Sequence, residues 1–256
     1  MPINHSIILG EGEPLCILHG FLGMSDNWKS LGNKYAEAGF EVHLIDQRNH
    51  GKSFWSDSFN YKEMSGDLKY YLEHYKIKET ALIGHSMGGK TAMEFACNNP
   101  ELTSKLIVAD IAPRYYPPHH TQILNALEQL KLSELTSRNE ADTQLKAYIS
   151  DQGIRQFLLK NLFWKEKKEL ALRFNLPILR TKMEEIGSSL QMNDQFNGPT
   201  LFLGGENSDY IGEKDVAVIK KHFPNATIDV IHKAGHWVHA ENPAEFYLKS
   251  LRFLNS

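Results

Sequence analysis

The chain has 256 residues, 41% of them hydrophobic and 23% charged, enough apolar material for one large domain or a domain carrying a substantial insertion. A net charge of −3 gives no electrostatic footprint for nucleic acid or an anionic membrane, and no run approaches the ~20 apolar residues of a membrane span. The two cysteines, Cys16 and Cys97, each lie in an apolar segment, which argues for reduced thiols rather than a disulfide scaffold. The opening Met1-Pro2-Ile3-Asn4-His5-Ser6 has no basic region leading into an apolar core. No signal peptide is therefore expected, and the expectation is a cytoplasmic protein, monomeric or a small homo-oligomer.

Residues 7–9 and 15–18 read as short strands around the turn-rich Gly10-Glu11-Gly12-Glu13-Pro14, the second ending in His19-Gly20-Phe21-Leu22-Gly23. Helical spacing over 28–38 stops before Gly39, and a strand over 42–45 ends in Asp46-Gln47-Arg48-Asn49-His50-Gly51. A helix over 64–75, a strand over 80–83, a helix over 87–98 halted by Pro100, and a strand over 106–110 follow. Strand and helix alternate on short connections. The pattern predicts a mostly parallel α/β sheet covered on both faces, with His19, Asp46, Ser86 and Asp110 at the carboxyl ends where ligands bind.

The rhythm breaks at Arg114. Segments 123–130, 145–149, 154–163 and 178–190 carry helical spacing, and no convincing strand is read before about 195. The division expected is a core of 1–113 and 196–256 with a helical lid of 114–195. Alternation resumes with strands over 200–203 and 227–231, helices over 214–222 and 243–254, and a turn at Lys233-Ala234-Gly235-His236-Trp237-Val238-His239.

The stretch Ala81-Leu82-Ile83-Gly84-His85-Ser86-Met87-Gly88-Gly89-Lys90-Thr91 admits two chemistries. Gly84-x-Ser86-x-Gly88 fits a nucleophile elbow, a strained strand-to-helix turn that exposes a serine. Gly84-x-x-x-x-Gly89-Lys90-Thr91 fits a phosphate-binding loop, with Asp110 imitating a magnesium ligand. The elbow expects more features, and they are present. A serine hydroxyl needs a general base, and His236 stands in a Gly-His turn after the last strand, among twelve histidines. An oxyanion needs two backbone donors, and Met87 and Phe21 occupy the two positions that supply them. His239 with His236 lacks a third metal ligand, so no metal site is expected and His239 reads as structural.

His19-Gly20-Phe21-Leu22-Gly23, Asp46-x-Arg48-Asn49-His50-Gly51-x-Ser53, Gly84-His85-Ser86-Met87-Gly88-Gly89-Lys90, Asp110-Ile111-Ala112-Pro113 and Ala234-Gly235-His236-Trp237 together resemble the α/β-hydrolase superfamily. The closer similarity is to its YbfF-like esterases and their mitochondrial relatives. The resemblance covers the two core segments well and the lid loosely. It implies hydrolysis of acyl esters, or of thioesters such as acyl-CoA, with no metal or organic cofactor. Carbon–carbon bond hydrolases and cofactor-free haloperoxidases share the same catalytic set and stay open as alternatives.

Most of the superfamily carries its acid in a Gly-x-x-Asp turn after the strand that ends here at Leu203. In this chain Ser208 stands at that place and Asp209 follows it. A minority carry the acid where Asp110 stands, in the Asp-Ile-Ala-Pro context of the YbfF-like pattern. Asp110 is favoured as the acid behind His236, with Asp209 kept open. Asp46, Arg48 and Asn49 are expected to hold their loop. Phe157, Phe163, Trp164, Phe174 and Trp237 are candidates to line an acyl pocket, or else core.

Overall fold

The computed structural model describes residues 2–166 and 169–256. The first half alternates as expected: β1 (Ser6–Leu9), β2 (Glu13–Leu18), α1 (Lys29–Glu37), β3 (Phe40–Ile45), α2 (Tyr61–Tyr75), β4 (Thr80–His85), α3 (Met87–Asn98) and β5 (Thr103–Ala109). An intervening segment holds α4 (Thr121–Glu128), α5 (Arg138–Lys146), α6 (Gln152–Leu159), β6 (Leu162–Glu166), β7 (Glu169–Leu172), α7 (Leu176–Thr181) and α8 (Met183–Gly187). The chain closes with β8 (Thr200–Gly205), α9 (Val216–His222), β9 (Ala226–Ile231), α10 (Val238–Glu241) and α11 (Pro243–Leu254).

Seven strands form one sheet in the order β1-β3-β2-β4-β5-β8-β9, antiparallel only between β1 and β3. Each central strand buries both faces, which is why these strands read as continuous apolar runs. Leu15, Ile17, Ile83, Ile107 and Leu203 face Trp28, Tyr35 and Phe246, while Cys16, Leu18, Leu82, Val108 and Phe202 face Leu68, Phe95 and Ile219. The register sets His85 against Ala109 and Ala109 against Leu203, so β4, β5 and β8 end level. The loops that carry Ser86, Asp110 and Ser208 therefore start from one edge.

The intervening segment differs from its sequence reading in three places. Leu162–Glu166 and Glu169–Leu172 pair as an antiparallel hairpin where helix or no strand was expected. α6 stops at Leu159, and Asn161 leaves the helix to donate its Nδ2–H to the Leu22 carbonyl at 2.9 Å. The strand signal, buried Leu170 and Leu172 around half-buried Ala171, is only four residues long. The helix expected over 178–190 is broken at Lys182 (φ −106°, ψ 22°) into α7 and α8. Outside this segment, a four-residue helix, α10, forms at the end of the expected turn and runs to Glu241.

The segment has its own core, including Leu124, Leu127, Leu145, Leu158 and Leu179, and this core takes in Phe21 and Leu22 from the loop after β2 and Met87 from the start of α3. Its two ends run side by side. Tyr116 N–H donates to Gly187 O at 2.8 Å and Leu190 N–H to Pro113 O at 3.0 Å. The buried Lys90 of α3 joins them, its Nζ donating to Arg114 O at 2.5 Å and Ser188 O at 2.6 Å. Burial, with Arg114 nearby, lowers the Lys90 ammonium to about 7. The two carbonyls it joins give the buried amine its hydrogen-bond partners.

Candidate active site

Ser86 occupies the single residue between β4 and α3 at φ 51° and ψ −117°, a backbone region that side-chain-bearing residues rarely adopt. Such a conformation costs on the order of 1–3 kcal/mol and persists because its surroundings over-determine it. Ser86 N–H donates to Ala109 O at 3.0 Å, and Ser86 O accepts from Lys90 N–H at 3.0 Å. A Cβ on Gly84 would lie 2.3 Å from Gly88 O, and one on Gly88 would lie 2.3 Å from Leu18 O. Only glycine lets the strand, the turn and the helix approach so closely. This is the strand–turn–helix geometry that the sequence pattern predicts.

The structure brings Ser86, His236 and Asp110 into one line. His236 Nε2 lies 3.1 Å from Ser86 Oγ, and Nδ1 lies 2.8 Å from Asp110 Oδ2. A carboxylate only accepts, so Nδ1–H donates to Asp110 and leaves Nε2 to accept the serine O–H. Asp110 is fully buried, and its other partners are the Gly205 N–H (2.9 Å) and the Ser208 hydroxyl (2.5 Å). Asp209 is exposed, and its carbonyl rather than its carboxylate meets Arg114 at 3.5 Å. Of the two carboxylates left open by the sequence, Asp110 is the one in contact with His236.

Met87 follows Ser86 directly, and Phe21 lines the same cavity as Ser86. Met87 is the first residue of α3, where an N–H has no acceptor within the helix. Phe21 lies in the loop after β2, and that loop is pressed onto the turn. A Cβ on Gly20 would stand 2.7 Å from His85 Nδ1 and 3.4 Å from Ser86 Cβ. The loop is fixed by Gly23 N–H to Gly20 O at 3.0 Å and by Leu22 N–H to His50 Nε2 at 3.2 Å.

Two positioning groups, His85 and Tyr210, escaped the sequence reading, whereas His239 was expected to be structural. His85 Nε2–H donates to the His236 carbonyl at 2.9 Å, and burial beside His239 and His236 holds the His85 ring neutral. Tyr210 stacks on His236 with centroids 3.9 Å apart and planes at 20°, and its hydroxyl hydrogen-bonds His119. Burial, with Asp110 close by, pushes that phenol up to about 12. His239 is stacked flat on Trp28 at 4.1 Å and lowered to about 3, mainly by burial. Only three-dimensional proximity reveals these partners. The one signal in the sequence was Ser208 at the superfamily's usual acid position.

Two cavities meet at Ser86. The larger, about 590 Å³, is walled by Leu22, Ile123, Ile154, Phe157, Leu158 and Trp237, and the smaller, about 340 Å³, by Tyr61, Tyr116, Pro118, Met183, Ile186 and Tyr210. Of the candidate aromatic liners, Phe157 and Trp237 face the larger cavity with rings 5.6 Å apart. Phe174 is core, Phe163 carries the Arg173 guanidinium over its ring, and Trp164 is exposed. Asp46, Arg48 and Asn49 hold their loop as expected. Asp46 accepts from Ser25 N–H and Lys52 N–H, Arg48 grips Asp67 at 2.6 and 2.7 Å, and Asn49 bonds Ser56. The phosphate-loop letters serve packing. Lys90 is spent on two carbonyls, and Thr91 Oγ1–H donates to Gln47 Oε1 at 2.7 Å.

Both cysteines are free thiols, and burial pushes each up to about 12. Among the described residues no helix is long and apolar enough to cross a membrane.

Residues 13–243 match the alpha/beta hydrolase fold family. The chain is 38% identical over 265 residues to the sn-1-specific diacylglycerol lipase ABHD11 of Danio rerio, covering 99% of this chain and 83% of that protein. It is 33% identical over 246 residues to esterase YbfF of Escherichia coli (strain K12), covering 96% and 94%. A solved marine microorganism esterase superposes with a TM-score of 0.96 at 42% identity, covering 99% of this chain and all of the other. With that match and the strand–serine–helix turn at its centre, the chain belongs to the alpha/beta hydrolase fold family, in the branch of the YbfF-like esterases.

Proposed function

We propose that the protein is a serine carboxylesterase, cleaving small acyl esters or acyl thioesters through an acyl-serine intermediate beneath a lid of residues 114–195. The observation that carries this reading is the unbroken relay from Ser86 Oγ to His236 to the buried Asp110 carboxylate. His236 takes the serine proton as Ser86 attacks the acyl carbonyl, and Asp110 stabilises the imidazolium that forms. The oxyanion settles between the N–H groups of Phe21 and Met87, donors that need no reorganisation. His236 then protonates the departing alcohol or thiol, and water repeats the sequence on the acyl-serine. No step calls for a metal or an organic cofactor.

The mainly apolar wall of the larger cavity supports an acyl group as the substrate part held. The similar relatives, one a diacylglycerol lipase and others esterases, support oxygen esters as the first substrates to try. The test is a panel of p-nitrophenyl esters from acetate to decanoate beside the matching acyl-CoA thioesters, with wild type and Ser86→Ala. Turnover of at least one series, lost in Ser86→Ala, is the expected result. Activity that survives the substitution would exclude the mechanism.

A further inference from the structure

Ser86 and His120 are the two residues that line both cavities. His120 ends the Arg114-to-His120 run that leads into the lid and stands at the amino end of α4, where its carbonyl accepts Leu124 N–H at 3.0 Å. Pro117 and Pro118 stiffen the backbone just before it. Its ring meets the Phe21 ring edge-on, with centroids 4.9 Å apart, and packs 4.1 Å from His119. The ring is thus held against the loop of Phe21, in walls that it shares with the serine.

Its hydrogen-bonding capacity is unused within the protein. His119 is tied to Pro117 O and to the Tyr210 hydroxyl, whereas among the described residues neither ring nitrogen of His120 meets a protein partner. Burial, with His119 and His236 nearby, lowers His120 to about 3, so the ring is a neutral imidazole with one donor and one acceptor. An imidazole fixed in an apolar cavity wall with both nitrogens free is suited to a polar ligand atom. The polar atoms of an ester sit where the two limbs meet.

We infer that His120 is a substrate-contacting specificity residue, hydrogen-bonding the ester group from the lid side and dividing the limb for the acyl chain from the limb for the leaving group. The inference rests on the esterase reading. The acyl chain takes the larger limb, past Phe157 and Trp237, and the alcohol portion takes the smaller one, past Tyr61 and Tyr210. The substrate class is accordingly an ester with an apolar acyl chain and a compact alcohol part, both enclosed.

The test compares His120→Phe, which keeps the ring and its contact with Phe21, with His120→Gln, which restores a donor and an acceptor. With p-nitrophenyl butyrate, kcat/KM should fall about tenfold in His120→Phe, the equivalent of one lost hydrogen bond, and recover most of that loss in His120→Gln. The melting temperatures of all three proteins should agree, which separates this result from misfolding. A His120→Phe enzyme as active as wild type would overturn the assignment, and so would a glutamine variant as impaired as the phenylalanine one. An inactive wild type would instead sink the esterase reading. Even then, Kd for the same ester in a Ser86→Ala background reads His120 directly, and equal Kd with and without His120→Phe would overturn it.

Discussion

The Ser208 hydroxyl donates to the Asp110 carboxylate at 2.5 Å, from the loop position where most of the superfamily keeps the acid itself. In this chain the loop after β8 still serves the histidine, but through a donor that orients a carboxylate rooted after β5. Asp110 then accepts from His236, Ser208 and Gly205, which locks the carboxylate plane toward the imidazole. In the proposed mechanism Asp110 is the orienter and Ser208 its support. Asp110→Asn should lower kcat by about 10⁴, because an amide cannot accept the Nδ1–H in the same way. Ser208→Ala should lower kcat about tenfold with little change in KM, since one hydrogen bond to a charged acceptor is lost. Asp209→Asn, altering an exposed side chain, should stay within about twofold of wild type. Steady-state kinetics on one aryl ester decides all three.

A second expectation concerns the turn beneath Ser86. Gly88→Ala would set a methyl group 2.3 Å from the Leu18 carbonyl, a backbone atom that cannot swing aside. Separating α3 from β2 should cost about 3 kcal/mol or more, at the upper end of overpacking penalties. Chemical denaturation measures the loss, and labelling by a fluorophosphonate reports whether the serine remains reactive. A stable, fully labelled Gly88→Ala protein would contradict the geometry described.

Lys90 gives a pH-dependent expectation. Its folded value near 7 lies below the ordinary value of 10.5, because burial disfavours the ammonium. Between these two values the unfolded chain binds a proton that the folded chain does not, so stability should rise with pH across roughly 7 to 10.5. The slope approaches 1.4 kcal/mol per pH unit at most, and it is absent below the folded value. Lys90→Met carries no such proton. Urea unfolding of both proteins at pH 6, 7.5 and 9 should show wild type gaining on the variant as pH rises. A constant difference would mean that the amine titrates normally in the folded protein.

The wall of the larger cavity should set acyl-chain preference. Phe157 lines it from α6 with its ring beside that of Trp237, and truncation to alanine enlarges it. The kcat/KM ratio of octanoate to butyrate esters should rise about tenfold in Phe157→Ala, in line with the energy of a few methylenes in an apolar pocket. A Phe157→Trp enzyme should shift the ratio the opposite way. If both variants leave the ratio unchanged, the acyl chain does not lie there.

Much of this arrangement could be read from residues in order. The apolar runs of β2, β4 and β5 declare strands buried on both faces, and Gly84-x-Ser86-x-Gly88 marks a turn that few sequences can make. His236 was identifiable because it alone sits in a Gly-His turn after the last strand. The intervening segment was read less well. Its hairpin is short, and a single alternation of buried Leu170 and Leu172 is too brief to declare a strand, so pairing with β6 decides the matter. The choice between Asp110 and Asp209 depended on which loop end reaches His236, and local sequence does not fix a distance across two loops. Lys90 shows the same limit. Its letters fit a phosphate loop, while its environment, two carbonyls at the joint of the inserted segment, exists only after folding.

The central claim, that Ser86 carries the acyl group, is tested most directly by trapping that intermediate. Wild-type protein mixed with p-nitrophenyl butyrate and quenched in acid within milliseconds, then digested and weighed, should show a butyryl mass increment on the peptide that contains Ser86. His236→Ala, which leaves the acyl-serine without its base, should accumulate whatever adduct it forms on the same peptide. Turnover with no adduct at Ser86, or an adduct on any other residue, would contradict the account.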